Sequence, residues 1–159
     1  MIYRIAIYKH SKFVRYATQE ERYWLRINSS GLVQKVKNGL SQLFRGWFDV
    51  SKTHKVEWGI EFNGVKIFEN DITTFKHTYV NIDPFRKDEP LDKYHVAAYV
   101  VEQANTGQLM LKCFAIIENH NCGDFVYRGI GKMHELRYLG DDLNISGNVH
   151  QNPELLEAK

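Results

Sequence analysis

The chain has 159 residues, of which 43% are hydrophobic and 25% charged, with three prolines and two cysteines. That balance fits one soluble globular domain and excludes a repeat array or a low-complexity protein. No apolar run is long enough to cross a bilayer and no secretory leader is read at the start, so a transmembrane anchor and an oxidising compartment are not expected.

In chain order, Ile2 to Tyr8 is a short apolar run carrying Arg4 and predicts a first strand. Gln19 to Ile27 suits either strand or helix. Over Leu32 to Phe44, the residues Leu32, Val33, Val36, Leu40, Leu43 and Phe44 recur at helical spacing and predict an amphipathic helix. Val56–Phe62 and Val65–Glu69 flank Asn63-Gly64, the dipeptide of a type I′ hairpin, and His77–Ile82 predicts another strand. Tyr94–Gln103 and Gln108–Glu118 form a further pair around Asn105-Thr106-Gly107, the second carrying Cys113 as a core residue. A helix is expected from Cys122 to about His134, and residues 140–159 read as a flexible polar tail.

The net charge of +2 hides an asymmetry. Residues 1–55 hold 11 Lys/Arg against 3 Asp/Glu, net +8, whereas residues 56–159 hold 10 against 16, net −6. Segregation of this kind marks an electrostatic docking surface, unless the two segments interleave their charges on folding. In the basic part, aromatic residues alternate with cations, and Arg22, Arg26, Lys35, Lys37 and Arg45 are the candidate phosphate contacts of an RNA-binding face. The same aromatic residues also serve as ordinary core.

The stretch His120-Asn121-Cys122-Gly123-Asp124-Phe125-Val126 carries the other chemical signal. Asn121 is a good N-cap and Asp124 suits a first helical turn, so Cys122 is expected at a helix N-terminus, where the dipole favours thiolate. An imidazole within reach would then complete a nucleophilic site, and His54 and His120 are the candidates. A zinc reading of His120, Cys122 and His134 lacks the paired cysteines and the fourth ligand that such a site needs, and no cofactor motif is read.

These residues resemble the H-box/NC group of the circularly permuted NlpC-like superfamily, which includes lecithin:retinol acyltransferase, related phospholipase/acyltransferases and PPPDE-type peptidases. Asn121-Cys122 with Phe125-Val126 is similar to the group's Asn-Cys motif, and Trp58-Gly59-Ile60-Glu61-Phe62-Asn63-Gly64 is similar to the strand and turn that follow its histidine. The likeness covers residues 54–134. It implies an α+β fold, an antiparallel sheet packed against helices in a permuted papain-like core, with a basic N-terminal segment added. Length and composition predict one domain over residues 1–139 followed by the tail.

Within the group, size and composition are most like the H-box/NC 2A proteins of parechovirus-type picornaviruses. The resemblance therefore implies a viral protein of the host cytoplasm that supports RNA replication by binding RNA and host factors. The alternative it implies is a cysteine acyltransferase or hydrolase in which His54 activates Cys122 and His77 orients the imidazole. Glu57, not a histidine, stands immediately before Trp58, so the dyad requires His54 to take the strand's first position or a bulge to correct the register.

Overall fold

A computed structural model describes residues 2–36, 46–79, 91–138 and 143–157. The chain forms a mostly β structure of three antiparallel sheets, one of them a half-barrel, with only short helical turns. The α+β architecture expected from the resemblance is thereby corrected: no helix of the described residues is long enough to pack a layer against a sheet.

Two compact units divide the chain, Met1–Ile60 and Glu61–Lys159. In the first, strand β1 (Ile2–Lys9) lies between β2 (Lys12–Tyr16) and β6 (His54–Phe62), with Ile5 opposite Val56 and Ile7 opposite His54. A second sheet joins β3 (Leu25–Ile27), β4 (Val33–Val36) and β5 (Trp47–Asp49) in that order. Ile5, Leu25 and Val33 form the core between them, backed by Ala17, Val50 and Val56.

The helix predicted over 32–44 begins instead as β4. Val33 and Val36 are both buried, and their branched side chains favour the pleated sheet once β3 and β5 offer hydrogen-bonding edges on either side. The remainder of that predicted helix lies outside the described residues. Gln19–Arg22 forms a single helical turn, α1, held by a capping box in which Thr18 and Glu21 satisfy one another's backbone N–H groups.

Strand β6 turns at Asn63 and Gly64, both with positive φ as a type I′ turn requires, and continues into β7 (Val65–Phe68). In the second unit, β8 (Asp71–Thr78), β9 (Tyr94–Gln103), β10 (Leu109–His120), β11 (Met133–Glu135) and β12 (Ile145–Asn148) make a five-stranded sheet ordered β11-β10-β9-β8-β12. Its core contains Ile67, Ile72, Val101 and Leu111. Register shifts between Cys113 and Ala115 and between Ile116 and Glu118 bend β10.

Residues 143–157, read from sequence as tail, include β12 and a short 3-10 turn at Pro153–Leu156. The buried Asn148 donates to the buried Asp71 carboxylate at 3.2 Å, and its own Oδ1 accepts from the His150 N–H. A polar pair closed in this way is satisfied internally, which is the condition for burying it.

Candidate functional site

The Asn-Cys motif folds as a turn, not as the opening of an α-helix. After β10, Asn121 takes a left-handed conformation (φ 56°) and Gly123 another positive φ (74°). A six-residue 3-10 turn follows at Asp124–Gly129, with Gly123 in the cap position and no side-chain cap bond. Asn119 holds the turn: its Oδ1 accepts from the Cys122 N–H and its Nδ2 donates to the Gly123 carbonyl. The helix expected over 122–134 fails because Phe125, Val126 and Tyr127 are poor helix formers followed by Gly129 and Gly131, and β11 captures the chain at Met133.

Cys122 is 6% exposed, and its thiol donates to the His120 carbonyl at 3.3 Å. The His120 ring stacks on Tyr94 and contacts the Asp92 carboxylate at 3.2 Å. His54 belongs to the first unit, where its Nδ1 meets the Thr53 hydroxyl and its ring lines a small cavity with Ile7, Glu21, Trp24, Leu25 and Lys35. Desolvation, then Lys35, lowers its pKa.

Glu57, at the position where the resembling proteins carry histidine, is 3% exposed. Its carboxylate takes Arg4 Nε at 2.6 Å and the Tyr16 hydroxyl at 3.0 Å. On β6 it shares a buried face with Gly59, whereas Val56 and Trp58 are only half-buried. This charged triad, whose donors come from β1 and β2, is structural.

Of the candidate RNA contacts, Arg22, Arg26 and Lys35 are described, while Lys37 and Arg45 lie outside the described residues. Arg26 is exposed, its guanidinium bonded to Gln34 and set 4.3 Å from the Trp47 ring centre. Arg22 donates to the Tyr3 carbonyl and lies over the Tyr3 ring, so it is largely engaged within the fold. Lys35 is exposed on β4. Between Arg22 and Arg26, Tyr23 is 79% exposed and Trp24 48%.

A second constellation lies on the five-stranded sheet. His77 and His95 are cross-strand partners on β8 and β9. His77 Nε2 is 2.7 Å from the Tyr99 hydroxyl, and His95 Nδ1 is 3.1 Å from the Tyr79 hydroxyl. His134 on β11 stacks on Tyr138 at 4.4 Å and meets the edge of Tyr99. Desolvation, reinforced by His95 and His134, holds His77 down to about 4, and burial lowers His95 and His134 as well, so the three imidazoles are neutral near pH 7. Burial likewise raises the Tyr99 hydroxyl.

His77 was singled out from sequence as an orienting group for His54, but its described partners are Tyr99, His95, Phe75 and Tyr138. His95, Tyr79 and Tyr99 were missed. The signal available was alternation, His77-x-Tyr79 and His95-x-Ala97-x-Tyr99, which puts like residues on one face of neighbouring strands. Among the described residues, no group of three His, Cys, Asp or Glu side chains is arranged to hold a metal, and no helix is long and apolar enough to cross a membrane.

Compared with family models, curated proteins and solved structures, the chain shows no match. Its class is therefore defined by its own architecture, a two-unit antiparallel β protein with a basic aromatic surface on one unit and a histidine–tyrosine cavity on the other.

Proposed function

We propose that the first unit binds single-stranded nucleic acid, RNA in the first instance, through the surface around α1 and the β3-β4-β5 sheet. The observation that carries this reading is the adjacent exposed pair Tyr23 and Trp24, with the exposed cations Arg26 and Lys35 in the same unit. Exposed rings offer stacking surfaces to unpaired bases, and neighbouring cations take the phosphates. The unit holds 11 Lys/Arg against 4 Asp/Glu, net +7, so charge favours the approach of a polyanion. Arg26 over Trp47 enlarges the cationic aromatic surface, and Lys35 adds a further exposed charge.

RNA is the partner expected from the basic aromatic sequence as well, and the H-box/NC resemblance supplies no part of the fold. A viral origin, host-protein partners and a host-cytoplasmic setting rest on that resemblance alone, and the surface chemistry does not require them.

All three tryptophans, Trp24, Trp47 and Trp58, lie in the first unit, so tryptophan emission reports on it directly. Titration with a single-stranded oligoribonucleotide should quench that emission. With about three phosphates neutralised, the logarithm of the affinity should fall with the logarithm of salt at a slope of about −2. Tyr23→Ala and Trp24→Ala should each weaken binding by about 1–3 kcal/mol, and Arg26→Glu with Lys35→Glu should flatten the salt response. Binding that is insensitive to both salt and these four changes would overturn the proposal.

A further inference from the structure

The cavity on the five-stranded sheet has a volume of about 240 Å³. Ligand cavities for drug-sized molecules run about 300–1,000 Å³, so this one is of a size for a single small molecule. The buried Ala97, Ile116 and Cys113 line it together with His95, His134 and Tyr99, and Arg128 and Lys132 also line it.

Three features narrow the occupant. The first is charge. The second unit as a whole is acidic, with 10 Lys/Arg against 15 Asp/Glu, yet none of the described lining residues is a carboxylate and two are cations. Arg128 and Lys132 have no ion-pair partner among the described residues, in contrast to Lys112 with Glu102 and Arg137 with Glu135. An anion at the cavity mouth would supply what the described residues do not.

The second is shape. Phe125 and Tyr138 line the cavity and remain 52% and 50% exposed. Phe125 meets Tyr79 edge-on at 5.8 Å, and Tyr138 already carries His134 stacked against it. Aromatic faces left open in this way favour a flat ring. The third is polarity. The His95–Tyr79 pair, with Tyr99 and His134, places imidazole nitrogens and hydroxyls, each able to donate or accept, beside the apolar lining. Such groups suit the mixed edge of a heteroaromatic ring and repel neither protonation state.

We infer that the second unit carries a site for a planar aromatic ring bearing one anionic group, the ring lying among Tyr79, Phe125 and Tyr138 and the anion on Arg128 and Lys132. Nucleoside monophosphates and aromatic carboxylates both present this chemistry. The inference goes beyond nucleic-acid binding by the first unit and does not depend on it.

The test is calorimetric titration of the full chain with 5′-AMP, 5′-UMP and salicylate, set against adenosine, uridine and inorganic phosphate. At least one of the first three should bind with one site per chain, and the ring alone and the anion alone should bind at least about tenfold more weakly. Arg128→Gln and Lys132→Gln, both exposed and without an ion-pair partner among the described residues, should each lower affinity by about tenfold without altering the circular dichroism spectrum. The C–H proton resonances of His95 and His134 should move on saturation. Preference for a monophosphate or for salicylate identifies which source the site takes, and either supports the inference. No binding by the three probes at about 5 mM, a concentration that detects very weak association, would overturn it. So would affinity unchanged in both variants.

Discussion

The imidazoles of His77 and His95 stack face to face, their ring centres 4.5 Å apart and their planes 17° from parallel. Two protonated rings cannot hold that separation cheaply, because like charges in a partly desolvated site repel. The pair is therefore a neutral stack, and its cost appears on acidification. His77 has a folded pKa of about 4 against an ordinary 6.5. Below 6.5 the unfolded chain binds more protons than the folded one, so the contribution is fully present above pH 6.5 and is lost as pH falls towards 4. The urea midpoint should accordingly decrease from pH 7 to pH 4.5. His77→Gln should flatten that decrease, and a slope unchanged in the variant would place the titration elsewhere.

Glu57 is the carboxylate that Arg4 and Tyr16 share beneath the first sheet. Glu57→Ala should destabilise the chain by about 3 kcal/mol, because the variant keeps a mostly buried guanidinium while removing its counter-charge. Glu57→Gln, which retains an acceptor oxygen, should cost less. Equal urea midpoints for wild type and Glu57→Ala would show the triad to be energetically idle.

Gly147 on β12 has no room for a methyl group. A Cβ there would stand 2.7 Å from Asn152 Oδ1 and 3.0 Å from Leu155 Cδ1. Asn152 is held by the Asn148 N–H, so it does not swing away freely. Gly147→Ala should cost about 1–3 kcal/mol, read as a lowered urea midpoint at constant slope.

Thiol reactivity separates the two readings of Cys122. Both cysteines are buried and free, and burial raises Cys113. Native protein at pH 7.5 should react slowly with a disulfide reagent and release two thiol equivalents only after unfolding in urea. Fast labelling of Cys122 that disappears in His54→Ala would show a thiol activated by His54 and support the hydrolase alternative. Cys122→Ala should leave RNA binding unchanged.

A defined turn was enough to place β6 with β7 and β9 with β10 from residues alone, since Asn63-Gly64 and the turn at Gly107 dictate local backbone sign, and β1 was legible as a short apolar run. Helical spacing misled at Val33 and Val36, where two residues three apart are equally buried at the ends of a four-residue strand. It misled again after Cys122, where an apparent cap and stripe lacked the length to nucleate a helix.

By itself, then, the sequence determined β1, β6, β7, β9 and β10, the two hairpin turns and the basic first third, because these follow from dihedral preference and formal charge between near neighbours. The strand expected over His77–Ile82 is instead β8 at Asp71–Thr78, with residues 80–82 outside the described ones. Only the tertiary structure decided that Glu57 is sealed against Arg4, that Asn148 reaches Asp71 across 77 positions, and that His95, Tyr99 and His134 share one cavity with His77 packed against the first two. Those relationships depend on which strands pair and in what register. That choice is settled by the combined burial of the whole sheet, and no local stretch of residues carries it.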